Sequence, residues 1–310
     1  MKEQSRIANI INSKYYPLLL FALSFVFVVL FSRSTSFLYV YEGFDTAIFK
    51  QMGLAVLKGK TLYIDYFDNK GCLLYFIQAF GLWLGGNLYI LLMQTLSLTV
   101  TLVIWDKTIA FYRDGCFRFI CTGIALFLLL CFYDGGDLSE EWCLPFASYP
   151  IYLYFRYLKT NKEIPKIEML IIGICFGIIA FIRINNASVF LGFLAYLFFI
   201  LLQKKEYKKF VFDSLLVILG IAIITSLCIL YFYLKASTYG VEEMLYGTFL
   251  SYFEYFDYKD PRPTYYYVSY FLFLAICISI LCFNASNHKE ILIPTLLSYA
   301  LFVFSSGTRC

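Results

Sequence analysis

A chain of 310 residues that is 61% hydrophobic and 15% charged, with mean hydropathy +0.73, carries more apolar side chain than a water-soluble globule of this length can hide. Its formal charge of +4 is spread over scattered lysines and arginines with no basic stripe, which excludes nucleic acid as a partner. The lipid bilayer is the solvent that accepts such a composition.

A helix that crosses roughly 30 Å of hydrocarbon needs about 17 to 25 apolar residues, and it satisfies every backbone group internally. In chain order, apolar runs at residues 16–39, 88–105, 120–133, 142–157, 167–182, 187–203, 211–234, 265–283 and 291–304 predict an all-α fold. The expectation is one membrane domain over 1–310, a polytopic transmembrane helical bundle of about nine spans. The first run is too long and too aromatic for a cleavable leader, and no small-residue cleavage site follows it.

Basic residues in loops resist translocation and mark the cytoplasmic side. A cytoplasmic N-terminus places fifteen of the basic residues inside and ten outside, and the clusters after the fourth and sixth spans set that balance. Thirteen of the twenty-one acids then fall outside. The loops are short except for two outer ones, 40–86 and 235–264, and long loops are usually functional. Six cysteines, Cys121, Cys131, Cys175, Cys228, Cys277 and Cys282, lie in spans as small hydrophobes. Cys72, Cys143 and Cys310 lie nearer the outer face, with no spacing that argues for a disulfide.

The first outer loop has an inner pattern. Ala47, Ile48, Met52, Leu54, Ala55, Val56 and Leu57 make an apolar face from which Lys50 and Gln51 project, and Lys58-Gly59-Lys60 ends it. This predicts an interfacial helix. The run 71–84 is too short to span and predicts a second one. Asp45 stands at the start of the first, where a carboxylate can serve as an N-cap or as a base held at the membrane surface. Asp65, Asp68 and Lys70 follow within six residues. They place further carboxylates and a phosphate-binding cation at the same depth.

The stretch EGFDTAIFKQMGLAVLKGKTLYIDYFDNKG resembles the first outer loop of GT-C membrane glycosyltransferases of the protein mannosyltransferase type (glycosyltransferase family 39-like). Bacterial relatives show an Asp after the first span, then G-x-x-x-Y-x-D, then D-x-K-P-P or E-K-P-P. Asp45 matches the first, Gly59, Tyr63 and Asp65 the second, and Asp68 and Lys70 the third, whereas Gly71-Cys72 stand where two prolines are usual. The resemblance covers roughly residues 16–190. Family members continue for several more helices, so it also implies a short or C-terminally truncated member.

What the resemblance implies is an integral enzyme of the bacterial plasma membrane with its active site on the outer face. It would move a sugar from a polyprenyl-phosphate-linked donor to a glycan or protein acceptor with inversion. Asp45 would be the general base, and no second acid is needed because phosphate leaves as a stable anion. The departing phosphate calls for positive charge. Lys70 is the first candidate. Arg183 is the second, beside Asn185 and Asn186 in a corner that suits a sugar or phosphate, against the alternatives of a snorkelling Arg and two helix caps.

The loop 134–142, with Asp134, Asp137, Glu140 and Glu141, resembles the short acidic loop of related transferases. Its acids could hold acceptor hydroxyls or a divalent cation, or could simply favour a helix start. The Tyr-rich loop 235–264 is a candidate for acceptor contacts. The lone histidine, His288, falls in a cytoplasmic loop, which removes His-based nucleophilic and zinc chemistry, and no P-loop or G-x-G-x-x-G occurs. The competing readings are a transporter or lipid flippase, whose charges would sit near the midplane, and a surface-polysaccharide polymerase or ligase.

Overall fold

The computed structural model describes residues 15–34, 38, 41–112, 115–130, 133, 135–251 and 289–307. The eighth expected span, 265–283, lies outside them, as do His288, Asp134, Cys310 and residues 252–264 of the second long loop. The described residues are helical, and the only bridge among them is the isolated pairing of Leu62 with Tyr66.

In chain order the helices are α1 Tyr16–Phe31, α2 Phe44–Leu57, α3 Cys72–Gly85, α4 Asn87–Ala110, α5 Cys116–Leu129, α6 Ser139–Thr160, α7 Lys166–Arg183, α8 Ser188–Gln203, α9 Tyr207–Leu245 and α10 Lys289–Gly307. A 3-10 turn, Ile184–Ala187, joins α7 to α8, and a π turn, Tyr246–Leu250, extends α9. Three helical stretches are long and apolar enough to cross a membrane: Asn87–Ala110, Lys166–Gln203 and Tyr207–Leu250. Helices Tyr16–Phe31, Cys72–Gly85 and Cys116–Leu129 are apolar but shorter.

The stretch Lys166–Gln203 folds back on itself. At Arg183 the backbone is extended (φ −165°, ψ 111°). Near the start of α7, Glu168 pairs with Arg156, and just past the end of α8, Lys204 donates to the hydroxyl of Tyr157 at 2.9 Å. Both ends therefore lie beside the C-terminal end of α6, and α7 and α8 run in opposite directions.

The same logic orders the other helices. Tyr16 donates to Asp106 at 2.8 Å while Ser32 donates to Gln94 at 3.0 Å, so α1 and α4 are antiparallel. Arg118, early in α5, pairs with Asp106, late in α4. Helix α9 runs alongside α7 in the same direction. Gly173 and Gly220 meet there so closely that a methyl group on either would fall inside the partner's backbone, the small-residue contact that lets apolar helices approach. One end of the bundle thus collects Arg183, and the other collects Arg118, Arg156, Lys204 and Lys209.

Helices α2 and α3 stay at the Arg183 end. Gly71, the residue before α3, donates its N–H to Ile182 O at 3.0 Å, and Thr46 of α2 donates to Gly136 O at 3.1 Å. The principal core, built around Phe49, Tyr75, Tyr154, Phe181, Phe190 and Phe232, joins this end to the α6–α9 bundle, and a second cluster packs α1 against α4.

Several expectations change. The first span is a 16-residue helix that ends at Phe31, because Ser32 and Ser34 turn their hydroxyls to Gln94 and the chain leaves the helix. Lys50 does not project from α2. It is 6% exposed, donating to Glu42 at 2.7 Å and to the Ser34 carbonyl. Residues 235–251 of the second long loop are helix rather than loop, broken at Ala236 and at Ser237, which holds a left-handed φ of 58°. Cys72 and Cys143 are free thiols, and the sulfur nearest Cys72 is that of Cys228, 3.8 Å away.

Candidate functional site

Asp45 lies in the first turn of α2, half-buried, and the N-cap position belongs to Gly43. The capping role is therefore not its own, and among the described residues its carboxylate has no hydrogen-bond partner. Four residues on, Phe49 occupies the same helical face one turn deeper. The Lys70 ammonium stands over its ring, 5.6 Å from the centroid.

Lys70 is anchored by a local network. Its ammonium donates to Asn69 Oδ1 at 3.0 Å and faces Asp68 at 3.9 Å. Tyr75 donates to Asp68 at 2.7 Å, and Tyr63 donates to the Lys70 carbonyl at 2.7 Å. Burial and the nearby Asp68 push both phenols well above their ordinary pKa, so they stay neutral donors. Asp68 therefore positions Lys70 through the turn. Asp65 stands apart: exposed, it accepts the Thr61 N–H at 2.7 Å and closes its own turn.

Gly71 explains the departure from the proline pattern. Its N–H is used by Ile182 O, and a Cβ there would fall inside the Phe181 carbonyl. Proline supplies neither the donor nor the space. The contact sets Lys70 beside the end of α7, where Arg183 follows Ile182 directly.

Arg183 Nη1 donates to Glu140 Oε1 at 2.5 Å and to Ser139 Oγ at 3.4 Å. Among the described residues these contacts take only one nitrogen of the guanidinium, which leaves donors for an anion. Glu140 and Glu141 sit in the first turn of α6, as a helix-start reading expects. Their side chains diverge, because Glu141 Oε2 accepts the Asp137 N–H at 2.9 Å. Asn185 and Asn186 are buried: the Asn185 carbonyl accepts from Ser188 at 2.7 Å, and the Asn186 amide reaches Cys143 Sγ at 3.5 Å. They shape the floor behind Arg183.

Of the acids in the 134–142 loop, Asp137 proves to be the buried one, and it gathers two residues that the sequence does not single out, Gln78 and Gln94. Asp137, fully buried, accepts from Gln78 at 2.6 Å and from Trp142 at 2.9 Å. Burial raises its pKa to about 6, against the pull of those hydrogen bonds and of Lys50. Gln78 and Gln94 are lone amides in apolar helices, and that isolation is the signal that could have found them. The second long segment also reaches the site. Thr248 donates to Tyr63 at 3.3 Å, and the Tyr246 ring lies 6.2 Å from Phe67.

Among the described residues no three His, Cys, Asp or Glu side chains gather as a set that could hold a metal ion. Chemically, the end offers a carboxylate without a hydrogen-bond partner among the described residues, an ammonium over the Phe49 ring and a guanidinium whose backbone neighbour Ile182 holds Gly71. Compared with known proteins, the chain matches no family model, no curated protein and no solved structure.

Proposed function

We propose that the chain is an integral membrane glycosyltransferase of the GT-C type, with about nine spans and a cytoplasmic N-terminus. It takes a sugar from polyprenyl phosphate and delivers it to a glycan or protein acceptor at the outer face. The observation that carries this reading is the hydrogen bond from Gly71 to Ile182. It brings two cations more than a hundred residues apart in sequence to adjoining backbone positions, with the Asp45 carboxylate on the same side.

In this mechanism Asp45 takes the proton of the acceptor hydroxyl as its oxygen attacks the anomeric carbon from the side opposite the phosphate. The carbon–oxygen bond to phosphate breaks, and the configuration inverts. Lys70 and Arg183 hold the charge that grows on the leaving phosphate. Glu140 occupies Arg183 in the absence of donor and yields to the phosphate. The alternation of helix directions supports the span count, and the gathering of Arg118, Arg156, Lys204 and Lys209 at the opposite end supports the orientation. The buried charges Lys50, Asp106, Asp137 and Asp213 lie toward the ends of the bundle rather than midway, which favours an enzyme over a transporter.

The test is transfer of a labelled sugar from polyprenyl phosphate by membranes that contain the protein, with and without Asp45→Asn. Loss of transfer with normal insertion is the expected result. Full transfer by the variant removes the base assignment, and no transfer from any donor in a panel removes the proposed function.

A further inference from the structure

Cys72, the first residue of α3, donates its thiol to the sulfur of Cys228 on α9 across 3.8 Å, although 156 residues separate the two in sequence. Both are free thiols and both are buried, at 0% and 3% exposure. The segments that carry them are fastened around the contact. Phe76, one turn further along α3, packs edge-on against Tyr231 with ring centres 4.8 Å apart, and Tyr63 tilts against Phe232 at 5.7 Å. On the other side Gly71 is bonded to Ile182. The two sulfurs are thus held against each other by packing that neither of them supplies.

We propose that Cys72 and Cys228 are a thiol pair that closes to a disulfide by exchange with an external disulfide, and so staples α3 to α9. A disulfide holds its sulfurs about 2.05 Å apart, so each sulfur travels roughly 1 Å from its place in the reduced pair. Rotation about the two Cα–Cβ bonds covers that distance. In the exchange, one thiolate attacks a sulfur of the external disulfide, whose S–S bond breaks and releases one half as a thiolate. The second protein thiolate then attacks the protein sulfur of the mixed disulfide and expels the other half. The protons of the two cysteines pass to the departing thiolates. Two protein thiols and one external disulfide become one protein disulfide and two external thiols.

Exchange needs access, so it takes place as α3 first seats on α9 or when it opens locally, and burial then shelters the closed bond from reductants. Twenty-one residues separate Tyr207 from Cys228 along α9, a helical rise of roughly 30 Å, which puts the pair at the Arg183 end of the bundle. On the proposed orientation that end is the outer face, where disulfides form and persist. Closure itself depends neither on that orientation nor on sugar transfer. Its effect falls on Lys70, two residues before Cys72: the turn already bonded to α7 at Ile182 becomes covalently fixed to α9 as well.

Purified full-length protein in detergent, reduced and then freed of reductant, is incubated with dithiodipyridine, a small apolar disulfide, and its peptides are mapped by mass spectrometry. The expected product is a cross-linked peptide that joins Cys72 to Cys228, lighter than its reduced halves by two hydrogens and separated again by dithiothreitol. Closure is expected to raise the thermal unfolding midpoint by roughly 5–10 °C, because a link across so long a loop restrains the unfolded chain strongly. Cys228→Ala is expected to lose both the cross-link and the rise. Pyridine adducts on both cysteines without a cross-link overturn the proposal, and so does a cross-link from Cys72 to any other cysteine. Persistence of both as free thiols after hours just below the midpoint, ample time for exchange, overturns it too. If Cys228→Ala does not fold, the peptide map of the unaltered protein decides alone.

Discussion

The N–H of Gly71 donates to the carbonyl of Ile182 at 3.0 Å, with no room for a side chain between the two strands of backbone. Gly71→Ala forces the turn away from α7 and is expected to cost about 1–3 kcal/mol as an overpacking change, and Gly71→Pro more, because it also removes the donor. Thermal unfolding of the purified variants measures the loss. A stable Gly71→Pro protein with unchanged midpoint contradicts the geometry.

Arg183 and Glu140 form a half-exposed ion pair, and such pairs contribute about 0–1 kcal/mol to stability. Arg183→Ala is therefore expected to leave the unfolding midpoint almost unchanged while it lowers sugar transfer by about 100-fold, the usual scale for removal of a charge-stabilising donor. Lysine at this position restores the charge without the planar fork, and intermediate rates follow. Parallel loss of stability and activity in Arg183→Ala argues for a structural role instead.

Asp45 has no hydrogen-bond partner among the described residues, so Asp45→Asn has nothing to break. The expected outcome is a folded, inserted protein whose transfer falls by about 100- to 10,000-fold, the range for loss of a general base. Side-by-side comparison of midpoint and initial rate separates this from a folding defect.

The buried acids make stability depend on pH in an unusual direction. The folded-state pKa of Asp137, about 6, lies above the ordinary carboxylate value near 4, so the folded protein binds the proton more tightly than the unfolded chain. This contribution is present in full below about pH 4 and fades as pH rises through about 6. It amounts to roughly 3 kcal/mol for a fully buried group, and Glu141 acts in the same sense. The unfolding midpoint is expected to fall between about pH 4 and 7, and Asp137→Asn to flatten the slope. A midpoint that rises over that interval in the unaltered protein, with a slope unchanged in Asp137→Asn, contradicts the assignment.

Hydropathy alone makes α4, α7, α8 and the body of α9 legible, because a run of apolar residues has few other solvents open to it. It also makes Arg183 legible, as a lone charge at the end of such a run. Lys50 was not legible. Its place on α2 suits solvent, and only the return of Ser34 and Glu42 toward that face buries it. The acid loop made Asp137 visible, but its burial was hidden for a similar reason: its partners Gln78, Gln94 and Trp142 come from three helices, and periodicity within one segment says nothing about which amides converge. The proline-to-glycine departure at Gly71, which weakens the sequence resemblance, becomes intelligible only once Phe181 is known to lie against it.

Membranes differ in thickness, and spanning helices answer by tilting. Side chains that meet across two independently tilting helices drift apart as they do so. Lys70 and Arg183 escape this, because the turn that bears Lys70 is fastened to the backbone of α7 at Ile182 and travels with it. Their spacing is a property of one rigid corner, and the pair of charges keeps the same separation in a thin bilayer and in a thick one.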